Sequence, residues 1–112
     1  MFEIERVVNI QNEVGESPRW DAEEQALFWL DIWDSPAVFR FKPQTGEFTR
    51  WAPGLPVTGH ARRKQGGFVF ASRTGLYFWD EPTGASQFIL DPEADNGPVR
   101  FNDGSADRMG RF

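Results

Sequence analysis

Residues 27–51, LFWLDIWDSPAVFRFKPQTGEFTRW, set a pattern that residues 67–90, GFVFASRTGLYFWDEPTGASQFIL, repeat. In both, an apolar run passes through a polar turn to an alternating strand, then through Thr-Gly to a third strand. Thr45-Gly46 returns 38 places later as Thr83-Gly84, and Phe39 and Phe41 return at the same interval as Tyr77 and Trp79. Phe39 and Phe41 stand two apart, so they share one strand face and leave Val38 and Arg40 the other. Gly46 and Gly84 supply the backbone freedom that tight turns need. No window of comparable length combines helical spacing with caps. The chain therefore reads as all-β.

The runs Leu27–Leu30 and Phe68–Ala71 are continuously apolar, whereas a half-exposed antiparallel strand would alternate, so sheets covered on both faces are expected. A period of about 40 residues with several short strands per unit marks a β-propeller, in preference to a β-sandwich with an accidental repeat. The blade-like repeats run over about 15–56 and 57–98, and a third begins over 99–112. There ADRMGRF (106–112) takes the place that ARRKQGGF (61–68) fills in the second unit, and Met109–Phe112 reads as the opening of a strand. Propellers close with about four to eight blades. Two blades alone would expose apolar faces and sheet edges, so the expectation is either a portion of a longer protein or self-association of three copies into one ring.

Composition narrows the function. A hydrophobic content of 39% suffices for a modest core, and eleven Phe with five Trp favour sheets. The net charge of −5 argues against nucleic acid, whose affinity rests on neutralising phosphates. The short basic run Arg62, Arg63, Lys64 reads as a solvated turn. Having no cysteine removes disulfides, thiolate metal sites and cysteine nucleophiles together and fits the cytoplasm. MFEIERVVNI lacks the basic start and apolar core of a secretion signal. The longest apolar run, ALFWL, has five residues, far short of the roughly 18 of a membrane helix. A soluble protein without a membrane partner is expected.

Two segments carry a resemblance. VGESPRWD (14–21) and VRFNDGSADRMGRF (99–112), with LFWLDI between them, resemble the regucalcin, gluconolactonase and senescence-marker-protein-like lactonase family of six-bladed propellers. Gly15, Glu16, Ser17, Pro18, Trp20 and Asp21 match its first pattern, and Arg100, Phe101, Asn102, Asp103 and Gly104 match the later one. The resemblance spans nearly the whole chain. It implies about two blades of a six-bladed propeller plus the start of a third, acting in metal-dependent hydrolysis of sugar lactones. A non-catalytic propeller that binds calcium or a partner is the alternative.

By the same resemblance, Glu16 ligates a divalent metal ion (Ca²⁺, Zn²⁺, Mn²⁺ or Mg²⁺) at the mouth of the central tunnel. A carboxylate is a suitable hard oxygen ligand for such ions. Ser17, preceding Pro18, is expected in an extended conformation, with Gly15 permitting a close bend. Arg100 and Asn102 resemble the pair that contacts a sugar lactone or its acid. A guanidinium grips oxygens with two donors, an amide both donates and accepts, and alternate positions face the same way. Asp103 and Gly104 read as members of an Asn-Asp-Gly turn. The family's remaining ligands, an Asn and an Asp that also serves as the base, have no match in these residues. No catalytic base is assigned, and a single carboxylate should bind metal weakly.

The other candidates read as structural. His60 has no partner for a triad or metal cluster. Ser17 does not stand in a Gly-x-Ser-x-Gly elbow. DPEADNG (91–97) places its Gly one position too late for an EF-hand and reads as a solvated connection. Asp31 and Asp34 are explained by turn chemistry.

Overall fold

Turn chemistry cuts the chain into short strands, and the repeated Thr-Gly pairs make the same turn twice. The Gly46 N–H donates to the Lys42 carbonyl at 2.9 Å and the Gly84 N–H to the Asp80 carbonyl at 2.7 Å, with both glycines at positive φ, 74° and 70°. The hydroxyls of Thr45 and Thr83 accept the N–H of Glu47 and Ala85, each at 3.2 Å. The computed structural model describes residues 1–112, with strands β1 (Gly15–Asp21), β2 (Ala26–Asp31), β3 (Ala37–Lys42) and β4 (Glu47–Trp51) in one antiparallel sheet. Strands β5 (Val57–Arg62), β6 (Phe68–Ser72), β7 (Gly75–Trp79) and β8 (Ser86–Leu90) form the other. In each sheet the strands neighbour one another in chain order. This is the build of two propeller blades.

The sheets face each other across a seam. Ala26, Phe28, Leu30 and Val38 of the first sheet meet Val57, Phe68, Phe70 and Trp79 of the second, all buried. Phe68 sits at the centre, edge-on to Phe28 at 5.6 Å and stacked on Phe70 at 5.4 Å. Burying aromatic rings of this size supplies most of the cohesion available to so short a chain.

Cover on both faces is realised only in part. The first sheet's outer face stacks Trp29 on Phe39 at 5.1 Å and Phe39 on Phe48 at 5.8 Å, but Trp20 remains 52% and Phe48 39% exposed. Within these residues no further sheet lies on that side to cover them.

The basic run is more than a solvated turn. The Arg62 guanidinium lies over the Phe28 and Phe68 rings and pairs with Glu24 at 2.5 Å and Glu81 at 2.7 Å. Glu24 in turn meets Arg40 at 3.4 Å, so the cluster joins both sheets. Arg63 stacks on Phe78 at 3.9 Å, and Lys64 alone of the three is exposed. Apolar stems beside carboxylates allow such long cations to stay partly buried.

No strand opens over Met109–Phe112; a turn over Arg108–Gly110 stands there instead. The Asp107 N–H donates to the Arg111 carbonyl at 2.8 Å and the Gly110 N–H to the Asp107 carbonyl at 3.0 Å. The same pair of bonds closes the first hairpin of the second sheet, Arg63 to Gly67 at 3.1 Å and Gly66 to Arg63 at 3.0 Å. The residues before this turn pack on β5 instead of pairing as a strand. A Cβ on Gly59 would collide with the Gly104 backbone nitrogen and lie 2.9 Å from the Asp103 carbonyl carbon.

Candidate functional site

β1 carries the Glu16 motif, and its pairing with β2 contains a bulge. Glu16 lies opposite Leu30 and Arg19 opposite Phe28, so Ser17 and Pro18 together face the single residue Trp29. The extra residue changes the alternation. Residues directly opposite share a face, which puts Glu16, Arg19 and Asp21 beside Leu30, Phe28 and Ala26 on the side turned towards the second sheet. A regular strand would place Glu16 and Arg19 on opposite sides.

The bend sits at Ser17, not at Gly15. Ser17 has φ 54°, whereas Gly15 is not among the positive-φ glycines. The extended conformation expected ahead of Pro18 is thus overturned by longer-range contacts. A left-handed non-glycine residue costs on the order of 1–3 kcal/mol and persists only where its surroundings enforce it. Two contacts do so here. The Ser17 carbonyl accepts from His60 Nε2 at 2.8 Å, and the Ser17 hydroxyl donates to Asp103 Oδ1 at 2.8 Å.

His60 is 1% exposed. Burial, above all, drives its pKa down to about 4; the positive charges of Arg19 and Arg62 add to this, while the Ser17 bond and Asp103 oppose it. The ring is therefore neutral near pH 7. Because a carbonyl can only accept, the proton sits on Nε2, and Nδ1 is left buried without a partner.

Asp103 links the two motifs. Besides the Ser17 hydroxyl, it approaches Arg19 at 4.0 Å, and its Oδ1 accepts the Gly104 N–H at 2.7 Å. No turn forms over Asn102–Gly104, which corrects the hairpin expectation for Asp103 and Gly104. A Cβ on Gly104 would lie 2.7 Å from the tip of the exposed Phe112 ring, which would have to turn aside.

Glu16 is half-buried and takes part in none of the chain's ion pairs. No three His, Asp or Glu side chains gather into a metal centre. The donor is of the right kind for a hard divalent cation, and the number of donors is too small for a complete site. Arg100 and Asn102 are exposed on the irregular segment that reaches Ser17 through Asp103, and Arg100 Nη1 donates to the Phe101 carbonyl at 3.1 Å. The structure thus joins the segments carrying Glu16 and Asn102 without a direct bond between those two side chains.

Asp31 does more than end a strand. It accepts the N–H groups of Glu13 and Val14, both at 2.9 Å, and the Asn12 amide at 3.4 Å, tying down the residues that precede Glu16. Burial alone would raise its carboxyl, but these donors, with the Trp33 backbone, outweigh it and hold the pKa below the ordinary value. A cleft of about 480 Å³ lies at the other end of β1, lined by Arg19, Asp21, Glu24, His60 and Arg62 among others, and does not include Glu16, Arg100 or Asn102.

Residues 14–112 match the SMP-30/gluconolactonase/LRE-like region. The chain is 32% identical over 106 residues to the 6-deoxy-6-sulfogluconolactonase of Pseudomonas putida, covering 95% of this chain and 36% of that protein. It is 33% identical over 113 residues to regucalcin of Xenopus laevis, covering 99% and 37% respectively. It is 32% identical over 111 residues to the pentonolactonase XacC of Haloferax volcanii, covering 96% and 36%. The chain spans little more than a third of the length of these relatives.

Proposed function

The chain belongs to the SMP-30/gluconolactonase/LRE-like family, contributing two blades to its six-bladed propeller design, and from that premise we propose that the closed ring hydrolyses a sugar lactone with a divalent metal ion ligated in part by Glu16. Two of the relatives are named as sugar lactonases. The observation that carries the metal assignment is the Ser17 bulge, which turns an uncommitted carboxylate onto the same strand face as Arg19. Arg100 and Asn102 would bind substrate oxygens from the segment anchored at Asp103. Bound beside them, a divalent ion would polarise the lactone carbonyl. The cytoplasm is the proposed compartment, in keeping with a cysteine-free chain.

Acid release from glucono-1,5-lactone, followed by pH-stat with added Ca²⁺, Zn²⁺, Mn²⁺ or Mg²⁺, tests this. Metal-dependent turnover that is lost in Glu16→Gln is the expected result. Turnover unchanged in that variant would remove Glu16 from the metal site. Metal binding with no turnover on any sugar lactone would favour the non-catalytic, calcium- or partner-binding propeller.

A further inference from the structure

Ser17 is held in its left-handed conformation by two groups distant in sequence, His60 at a separation of 43 residues and Asp103 at 86. That conformation lies inside the bulge that sets the facing of Glu16. We infer that His60 is a positioning residue for Glu16: its Nε2–H bond to the Ser17 carbonyl fixes the bulge and so decides which face of β1 presents the carboxylate. The inference rests on the reading of Glu16 as a metal ligand.

The geometry favours His60 over Asp103 as the determining partner. Asp103 sits on a strandless segment and its side chain is 47% exposed, so water can compete for the Ser17 hydroxyl. His60 is fixed inside β5, opposite Phe70 and edge-on to Phe68 at 6.0 Å. With the ring so packed, its donor has one direction. The Ser17 carbonyl must come to it, and a regular β1 would turn that carbonyl elsewhere.

Nuclear magnetic resonance on the full chain reads both halves of the inference. Backbone couplings report φ at Ser17, and paramagnetic broadening by Mn²⁺ alone reports metal at Glu16. In His60→Leu, Ser17 is expected to leave positive φ and the broadening at Glu16 to fall several-fold. His60→Gln, which returns a donor at similar reach, should restore both. A folded His60→Leu with wild-type Ser17 couplings and wild-type broadening overturns the inference. Should His60→Leu lose its fold, His60→Gln decides: wild-type couplings and broadening support the clamp, and relaxed Ser17 with unchanged broadening refutes it. A different pattern marks failure of the metal reading. Wild-type protein without broadening at Glu16, or broadening that persists in Glu16→Gln, removes the metal assignment, and the Ser17 couplings then judge the clamp by themselves.

Discussion

β1 and β5 open their sheets in the same way, and both carry a bulge, at Ser17–Pro18 in one and around Thr58 in the other. Their surroundings differ. β5 is buried from Val57 to His60, while β1 is open at Gly15, Pro18 and Trp20. The first sheet covers one flank of β5, and the Asp103–Gly104 backbone presses on the other at Gly59. The buried strand thereby acts as a fixed reference against which the open one is bent. Its His60 holds Ser17, and the open strand carries the carboxylate.

Four measurements would break or sharpen this contrast. Phe68→Ala, at the centre of the seam that supports β5, is expected to cost about 3–5 kcal/mol, read as a fall in denaturant midpoint. A cost below 1 kcal/mol would mean that the seam is not what fixes β5.

The second is a pH profile. His60 titrates near 6.5 when unfolded and at about 4 in the fold. Its neutral form contributes full stability above the unfolded value. As pH falls from about 6.5 towards 4, the unfolded chain gains the proton first, so on the order of 3 kcal/mol is lost. His60→Gln should flatten that part of a thermal-melt series. Asp31, held below the ordinary carboxylate range by its backbone donors, adds its loss only at lower pH.

Third, Gly59→Ala should displace the Asp103–Gly104 segment and cost about 1–3 kcal/mol. Gly15→Ala should cost less, about 1 kcal/mol, because its Cβ would approach the Asn12 side chain at 3.2 Å with no overlap on backbone. Equal costs would erase the distinction between the strands. Smallest, Asp103→Ala should cost about 1 kcal/mol through loss of the Ser17 bond. Hydrogen exchange along β1 should quicken near Ser17 and stay slow at Leu27–Leu30.

The repeat was legible because local chemistry wrote it twice. Thr45-Gly46 and Thr83-Gly84 share the glycine N–H bond and the threonine hydroxyl bond that close their turns, and the alternation at Phe39 and Phe41 follows from strand geometry alone. Other features left no local mark. The Arg62 cluster draws Glu24 and Glu81 from separate turns, so a basic run looked merely solvated. Ser17 before proline looked extended because neighbours in sequence set that preference, whereas partners 43 and 86 residues away override it. Asp103 resembled a turn residue for the same reason. The chain's single histidine, His60, set within the strand VTGHAR, is the one available hint of such a contact.

At Asp107–Arg111 a closing turn is held by bonds among its own residues. The Asp107 carboxylate accepts the N–H groups of Met109 and Arg111 and receives the Arg111 guanidinium at 2.6 Å. Alignment within a unit can therefore be chosen by five neighbouring residues as they leave the ribosome, independently of partners distant in sequence. Such local templating lowers the entropy barrier to each hairpin and shortens the time its bare edges are open to misassembly.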